Sequence, residues 1–86
     1  MAAHPTSLHQ YSMANQANVE ASALCGCFHC CSLFPPGDIR IWLKERTGEK
    51  TAQCPLCGID AVLPAHGLPA TLDRGLLETL HDEFFS

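Results

Sequence analysis

Basic side chains are scarce in this chain: five lysines and arginines stand against nine aspartates and glutamates, and none precedes Arg40. The N-terminus therefore lacks a positive n-region, and no apolar run approaches the length of a secretory h-region or a membrane span. These absences predict a cytoplasmic protein without a membrane segment, in a compartment where thiols stay reduced. The formal charge of −4 repels phosphate. Four metal-bound thiolates and one divalent ion would make it more negative still. Large side chains are also few, with one Trp, one Tyr and four Phe in 86 residues. A chain this short has room for one domain, and it buries too little apolar surface to be comfortably stable without a covalent or metal staple.

Cysteine is the residue it does have, with all six between Cys25 and Cys57. In a reducing compartment that number points to metal rather than to disulfides. Cys27-Phe28-His29-Cys30 and Cys54-Pro55-Leu56-Cys57-Gly58 form two CxxC units separated by residues 31–53, a spacing that lets two knuckles converge on one tetrahedral ion. The two-residue gap brings both sulfurs of a unit to the metal while backbone N–H groups face the thiolates, and Gly58 supplies the permissive backbone of such a turn. Cys27, Cys30, Cys54 and Cys57 are thus the candidate ligands of one structural Zn²⁺, which four thiolates suit best, with iron and other soft ions as alternative occupants. Four sulfurs leave no position for water or substrate, so the site predicts no catalytic residue and no enzyme activity.

Cys25 and Cys31 stand within two residues of proposed ligands and are alternatives to them by position. Only Cys27 with Cys30 repeats the gap of the second unit. Otherwise the two surplus cysteines read as small buried hydrophobes or spare thiols. His4, His9, His66 and His81 read as solvated or packing residues, and His29 sits inside the first knuckle with its ring directed away from the metal. Phe28, Phe34 and Trp42 read as core around the ion rather than as a base-stacking platform.

Residues 1 to about 20 carry few large apolar side chains and are expected to form a flexible tail, with a weak short helix within Gln10 to Ser22. Residues 21–86 are then the zinc-binding domain. Phe34-Pro35-Pro36-Gly37-Asp38 is a turn, after which Ile39, Ile41 and Leu43 alternate with Arg40, Trp42 and Lys44 as in a strand. Arg46 to Glu49 reverses the chain into a second strand, Lys50 to Gln53, which delivers Cys54. The rival reading starts a helix at Pro36 and uses Ile39, Trp42 and Leu43 as its stripe. Near the C-terminus Thr71 is expected to cap a helix with Leu72, Leu76, Leu77, Leu80 and Phe84 on one face, weakened at Gly75 by about 1 kcal/mol relative to Ala. The fold class expected is a small metal-stabilised α+β unit: a zinc-ribbon-like pair of knuckles, a short β-hairpin and a C-terminal amphipathic helix.

The order Cys25-Gly-Cys-Phe-His-Cys30, Phe34, Ile39, Trp42, Thr51-Ala52 and Cys54-Pro-Leu-Cys-Gly-Ile-Asp-Ala-Val62 resembles a family of short bacterial cytoplasmic proteins from about Ser22 to the C-terminus. Cys31 departs from that family's usual pattern. The family has no established activity, so the resemblance implies a bacterial, intracellular metal module and says nothing of reaction or substrate. At the wider level of fold the paired knuckles are similar to zinc ribbons and rubredoxin-like domains. The function expected is a non-enzymatic module that binds another protein. Nucleic-acid binding is an alternative motivated by Arg40, Lys44, Arg46 and Lys50, against which the acidic balance counts. A thiol-redox or metal-handling role is a third, motivated by Cys25 and Cys31.

Overall fold

Turn residues interrupt this chain so often that no strand exceeds three residues. The computed structural model describes residues 5–85. Its strands are β1 (Cys25–Cys27), β2 (Leu33–Phe34), β3 (Trp42–Lys44), β4 (Lys50–Ala52) and β5 (Val62–Pro64). They form two antiparallel sheets, one ordered β2-β1-β5 and the other the hairpin β3-β4. A 3-10 helix at Pro5–Ser12 and helix α1 (Gln16–Glu20) precede the strands, and helix α2 (Arg74–Phe85) follows them. The result is a small α+β fold with four cysteines gathered between the sheets' ends.

The hairpin takes the strand reading of residues 39–44 in part. Pro36–Asp38 forms a single 3-10 turn, Ile39 is extended, and pairing begins where Gln53 N–H donates to Ile41 O at 3.1 Å. Trp42 then lies opposite Ala52 and Lys44 opposite Lys50. Gly48, at φ 91°, closes the turn, and Glu45 N–H reaches Glu49 O at 2.8 Å.

Helix α2 docks its leucine face as the apolar spacing requires: Leu77 and Leu80 are fully buried and Leu76 half-buried. Phe84 is exposed, although its ring packs on His9 and Phe28. The helix begins at Arg74 rather than beside Thr71. Asp73 supplies the cap, its Oδ1 accepting from Leu76 N–H at 2.8 Å, which satisfies one of the N–H groups a helix start leaves open. Close approach of α2 to β1 depends on Gly26. A Cβ there would stand 2.8 Å from Leu77 Cδ1 and 3.1 Å from Leu33 Cδ2.

The composition boundary near residue 20 is not a packing boundary. Leu8 and Val19 lie in the same core cluster as Phe28, Phe34, Val62, Leu63, Leu77 and Leu80. Asn15 is buried, and its side chain joins both sheets: Nδ2 donates to Val62 O at 2.9 Å in β5, and Oδ1 accepts from Ala52 N–H at 3.1 Å in β4. Over residues 8–20 the expected flexible tail is therefore a packed element. Leu8, Val19, Tyr11 and His9 pack it, and Asn15 and the Ala14 N–H bond it, a set too small and mixed to register in composition. The remaining expectation for residues 1–4, including His4, lies outside the described residues.

Candidate metal centre

Each knuckle is built on the end of a strand. Cys27 closes β1 and is followed by the turn carrying Cys30; Cys54 follows β4 and is followed by the turn carrying Cys57. The two turns share one hydrogen-bond pattern. Cys31 N–H donates to Cys27 O at 2.7 Å, as Gly58 N–H does to Cys54 O at 3.0 Å; Cys27 N–H reaches Ser32 O and Cys54 N–H reaches Ile59 O, both at 2.9 Å. Each turn ends in a left-handed residue, Cys31 at φ 61° and Gly58 at φ 79°. The backbone also faces the sulfurs. His29 N–H lies 3.4 Å from Cys27 Sγ, and Leu56 N–H 3.3 Å from Cys54 Sγ, in each case two residues beyond the first thiol of the unit.

These turns bring the Sγ atoms of Cys27, Cys30, Cys54 and Cys57 within 4.8 Å of one another. Cys27 lies 3.6 Å from Cys57 and Cys30 lies 3.6 Å from Cys54, so each close pair joins one knuckle to the other. A tetrahedron of thiolates at a Zn–S distance of about 2.3 Å has edges of about 3.8 Å, close to these separations. The cluster is therefore shaped to hold one metal ion. Its walls are unequal: Cys27 and Cys54 are buried, while Cys30 and Cys57 are half-buried.

The electrostatics of the metal-free thiols do not simply track that asymmetry. Burial drives the Cys27 thiol far above its usual range, outweighing the N–H groups of Cys30 and His29. Burial also raises Cys57. Cys30 goes the other way: burial would raise it, but the hydroxyl and N–H of Ser32, with the thiols of Cys54 and Cys27, bring it down to about 7. Ser32, whose carbonyl also accepts the Cys27 N–H, lies outside the CxxC unit and was not revealed by the motif.

Cys25 and Cys31 stand outside the four-thiol group. Cys25 is buried in β1 opposite Phe34 and Pro64, and burial pushes its thiol up to about 11, which makes it an inert core residue. Cys31 occupies the left-handed corner of the first turn; burial, then the nearby Glu78 carboxylate, raises its thiol. The signal that separates Cys31 from the ligands was present in the sequence, because laying one CxxC unit over the other aligns Cys31 with Gly58.

Among the described residues no histidine joins the four-thiol group, and His9, His29 and His81 pack against aromatic rings. His9 lies 4.8 Å from the Phe84 ring, and His29 and His81 flank Phe85 at 4.8 and 5.8 Å between ring centroids. His66 sits in the exposed loop after β5. Phe28 and Phe34 are buried in the core, and Trp42 packs half-buried against it.

Fold and site together define a small α+β chain with a four-cysteine cluster able to hold one metal ion. Comparison with protein-family profiles, with curated proteins and with solved structures found no match.

Proposed function

We propose that this chain is a non-enzymatic module organised by one structural zinc ion, zinc-ribbon-like in its paired knuckles, that serves in protein–protein interaction. The observation that carries the reading is the four-thiol cluster itself. Two turns of matching hydrogen-bond pattern present two sulfurs each, and four thiolates complete a tetrahedral sphere without leaving a position for water or substrate. A site of that kind fixes structure, and the function then resides on the surface it holds rigid. The resemblance of residues from about Ser22 onward to short bacterial cytoplasmic proteins supports the metal-module part of this reading, as does the absence of a disulfide among the six cysteines. Among the described residues no helix is long and apolar enough to cross a membrane.

Zinc is preferred to iron because the ion's role here is structural, and zinc carries no redox chemistry of its own. Nucleic-acid binding is the weaker reading. Its basic residues share the hairpin with Glu45 and Glu49, and phosphate contacts so few give weak, strongly salt-dependent affinity.

The test is metal analysis and native mass spectrometry of the chain purified from cells, followed by the same measurements on single Cys→Ser variants. One zinc per chain is expected, lost on replacing Cys27, Cys30, Cys54 or Cys57 and kept on replacing Cys25 or Cys31. A folded chain that carries no metal, or iron in zinc's place, would defeat the zinc assignment. Sub-micromolar binding of an oligonucleotide at physiological salt would replace the interaction reading with the nucleic-acid one.

A further inference from the structure

The two edges of the β3-β4 hairpin are treated differently. Ala52 N–H points away from β3, toward Asn15 Oδ1, while Gln53 N–H and Glu45 N–H point inward to Ile41 O and Glu49 O. In an antiparallel ladder this parity turns the N–H and C=O groups of Trp42 and Lys44 outward on the opposite edge. The β4 edge is covered by Asn15 and by Ala14, whose N–H donates to Thr51 Oγ1 at 2.7 Å. The β3 edge has no such cover: among the described residues nothing bonds the outward groups of Trp42 and Lys44.

That edge carries apolar side chains and two cations, Arg40 and Lys44, while the carboxylate of the adjacent Glu45 is engaged by Thr51 Oγ1 at 2.8 Å on the β4 side. Ile41, just before β3, is 62% exposed and Leu43, within it, 38%, which leaves two apolar side chains of this edge in water. Between Arg40–Ile41 and the second knuckle lies a hollow of about 170 Å³ lined by Arg40, Ile41, Gln53, Cys54, Pro55 and Gly58, with the 68% exposed Leu56 in the adjoining turn. Arg40 and Lys44 lie two residues to either side of Trp42, and both are exposed.

We infer that the free edge of β3 is a docking site for an extended segment of a partner protein that alternates acidic and apolar residues and adds to the hairpin as a third strand. The inference rests on the reading of the chain as an interaction module and names the kind of partner. Strand addition draws affinity from main-chain bonds and selectivity from alternate side chains. Here the outward groups of Trp42 and Lys44 supply the first, and Ile41 with the hollow beside it and the cations Arg40 and Lys44 supply the second. The same cations argue against a second copy of this chain, because pairing two β3 edges would bring four like charges together. A lysine on a short edge also serves to discourage indiscriminate pairing. It does not account for two exposed apolar side chains and a hollow beside them.

The experiment titrates the zinc-loaded full chain, its metal content checked by native mass, with a synthetic peptide alternating glutamate and valine, up to millimolar concentration. Two peptides serve as references, one with lysine in place of glutamate and one with the acids and valines in separate blocks. Trp42, the sole tryptophan, reports by fluorescence, and amide hydrogen exchange is read residue by residue. The alternating acidic peptide is expected to shift Trp42 emission saturably, to bind at least tenfold tighter than either reference, and to slow exchange at Trp42 and Lys44. Lys44→Glu, an exposed change that spares the fold, is expected to weaken it at least tenfold. Equal binding of the block peptide, no binding of the alternating one, or protection elsewhere with Trp42 silent would overturn the inference. So would protection of Trp42 and Lys44 that rises with protein concentration alone. Any of these in a zinc-loaded sample leaves the zinc reading standing, whereas peptide binding by a zinc-free chain would sustain the edge and defeat the zinc.

Discussion

Cys31 holds in the first knuckle the place that Gly58 holds in the second. Each follows the last cysteine of its CxxC unit, each donates its N–H to the first cysteine's carbonyl, and each has positive φ, 61° and 79°. Only glycine adopts that region without steric cost; for other L-residues it costs roughly 1–2 kcal/mol. Cys31→Gly is therefore expected to stabilise the chain by about 1 kcal/mol with one metal still bound. Gly58→Ala should destabilise it by about the same amount, and purely through conformation, because no atom lies within 4 Å of the added Cβ. Chemical denaturation of the metal-loaded forms measures both. A loss of metal in Cys31→Gly would return Cys31 to the candidate ligands.

Gly26 is needed for a different reason, the closeness of Leu77. Gly26→Ala sets a methyl 2.8 Å from Leu77 Cδ1, and Leu77 is fully buried, so it has nowhere to retreat without moving α2. Overpacking of this kind typically costs about 1–3 kcal/mol. Leu77→Ala alone should cost about 2–5 kcal/mol through the cavity it leaves. In the double variant the new methyl occupies part of that cavity, and the combined loss should be smaller than the sum of the two. Additive losses in thermal unfolding would show that the helix and β1 do not press on each other there.

The hairpin, the C-terminal helix and the pairing of the two CxxC units were legible in the sequence because each leaves a local trace. Ile39 to Lys44 alternates, Leu72 to Leu80 recurs at helical spacing, and the two cysteine gaps are equal. The sheet β2-β1-β5 left none. Its strands are two or three residues long, and Val62–Pro64 is buried throughout, so no alternation exists to be seen. The helix start was misplaced by two residues, since Thr71 and Asp73 are both competent caps and only the fold selects Asp73. Asn15 was invisible for a deeper reason: a buried amide bonded to two distant backbones is indistinguishable in sequence from a solvated one.

Metal uptake should depend steeply on pH, and its sign follows from the thiols. Burial raises both Cys27 and Cys57, so both are protonated at neutral pH in the metal-free chain and must release their protons to ligate. Lowering the pH favours the protonated forms and weakens binding. Between pH 7 and 6 the apparent affinity should fall by about two orders of magnitude or more, tenfold for each of these two protons, with a further contribution from Cys30 near 7. Competition with a chelator of known pH dependence at pH 6, 7 and 8 measures the slope. A flat profile would mean that these thiols are not the ligands.

The N-terminal segment should prove necessary to the metal site although it contributes no ligand. Asn15 Nδ2 bonds the carbonyl of Val62, the residue paired with Cys27 in the β1-β5 register, and its Oδ1 takes the N–H of Ala52, two residues before Cys54. One side chain thus ties β4, from which the second knuckle springs, to β5, the partner of the strand from which the first springs. Leu8 and Val19, both in the core, hold the segment against the sheets on either side of it. Replacing Asn15 with Ala leaves two buried backbone groups without partners, at about 1–3 kcal/mol each, and frees the knuckles to separate. Leu8→Ala should cost about 2–5 kcal/mol by cavity formation, with the tie intact. The two variants therefore separate anchoring from site assembly. Both should lower the unfolding midpoint, and only Asn15→Ala should also weaken zinc beyond what its loss of global stability explains, measured by chelator competition where both remain folded. A chain lacking residues 1–20 should show both defects at once. If the truncated chain binds zinc as tightly as the full one and unfolds at the same temperature, the packing of this segment has no part in the site.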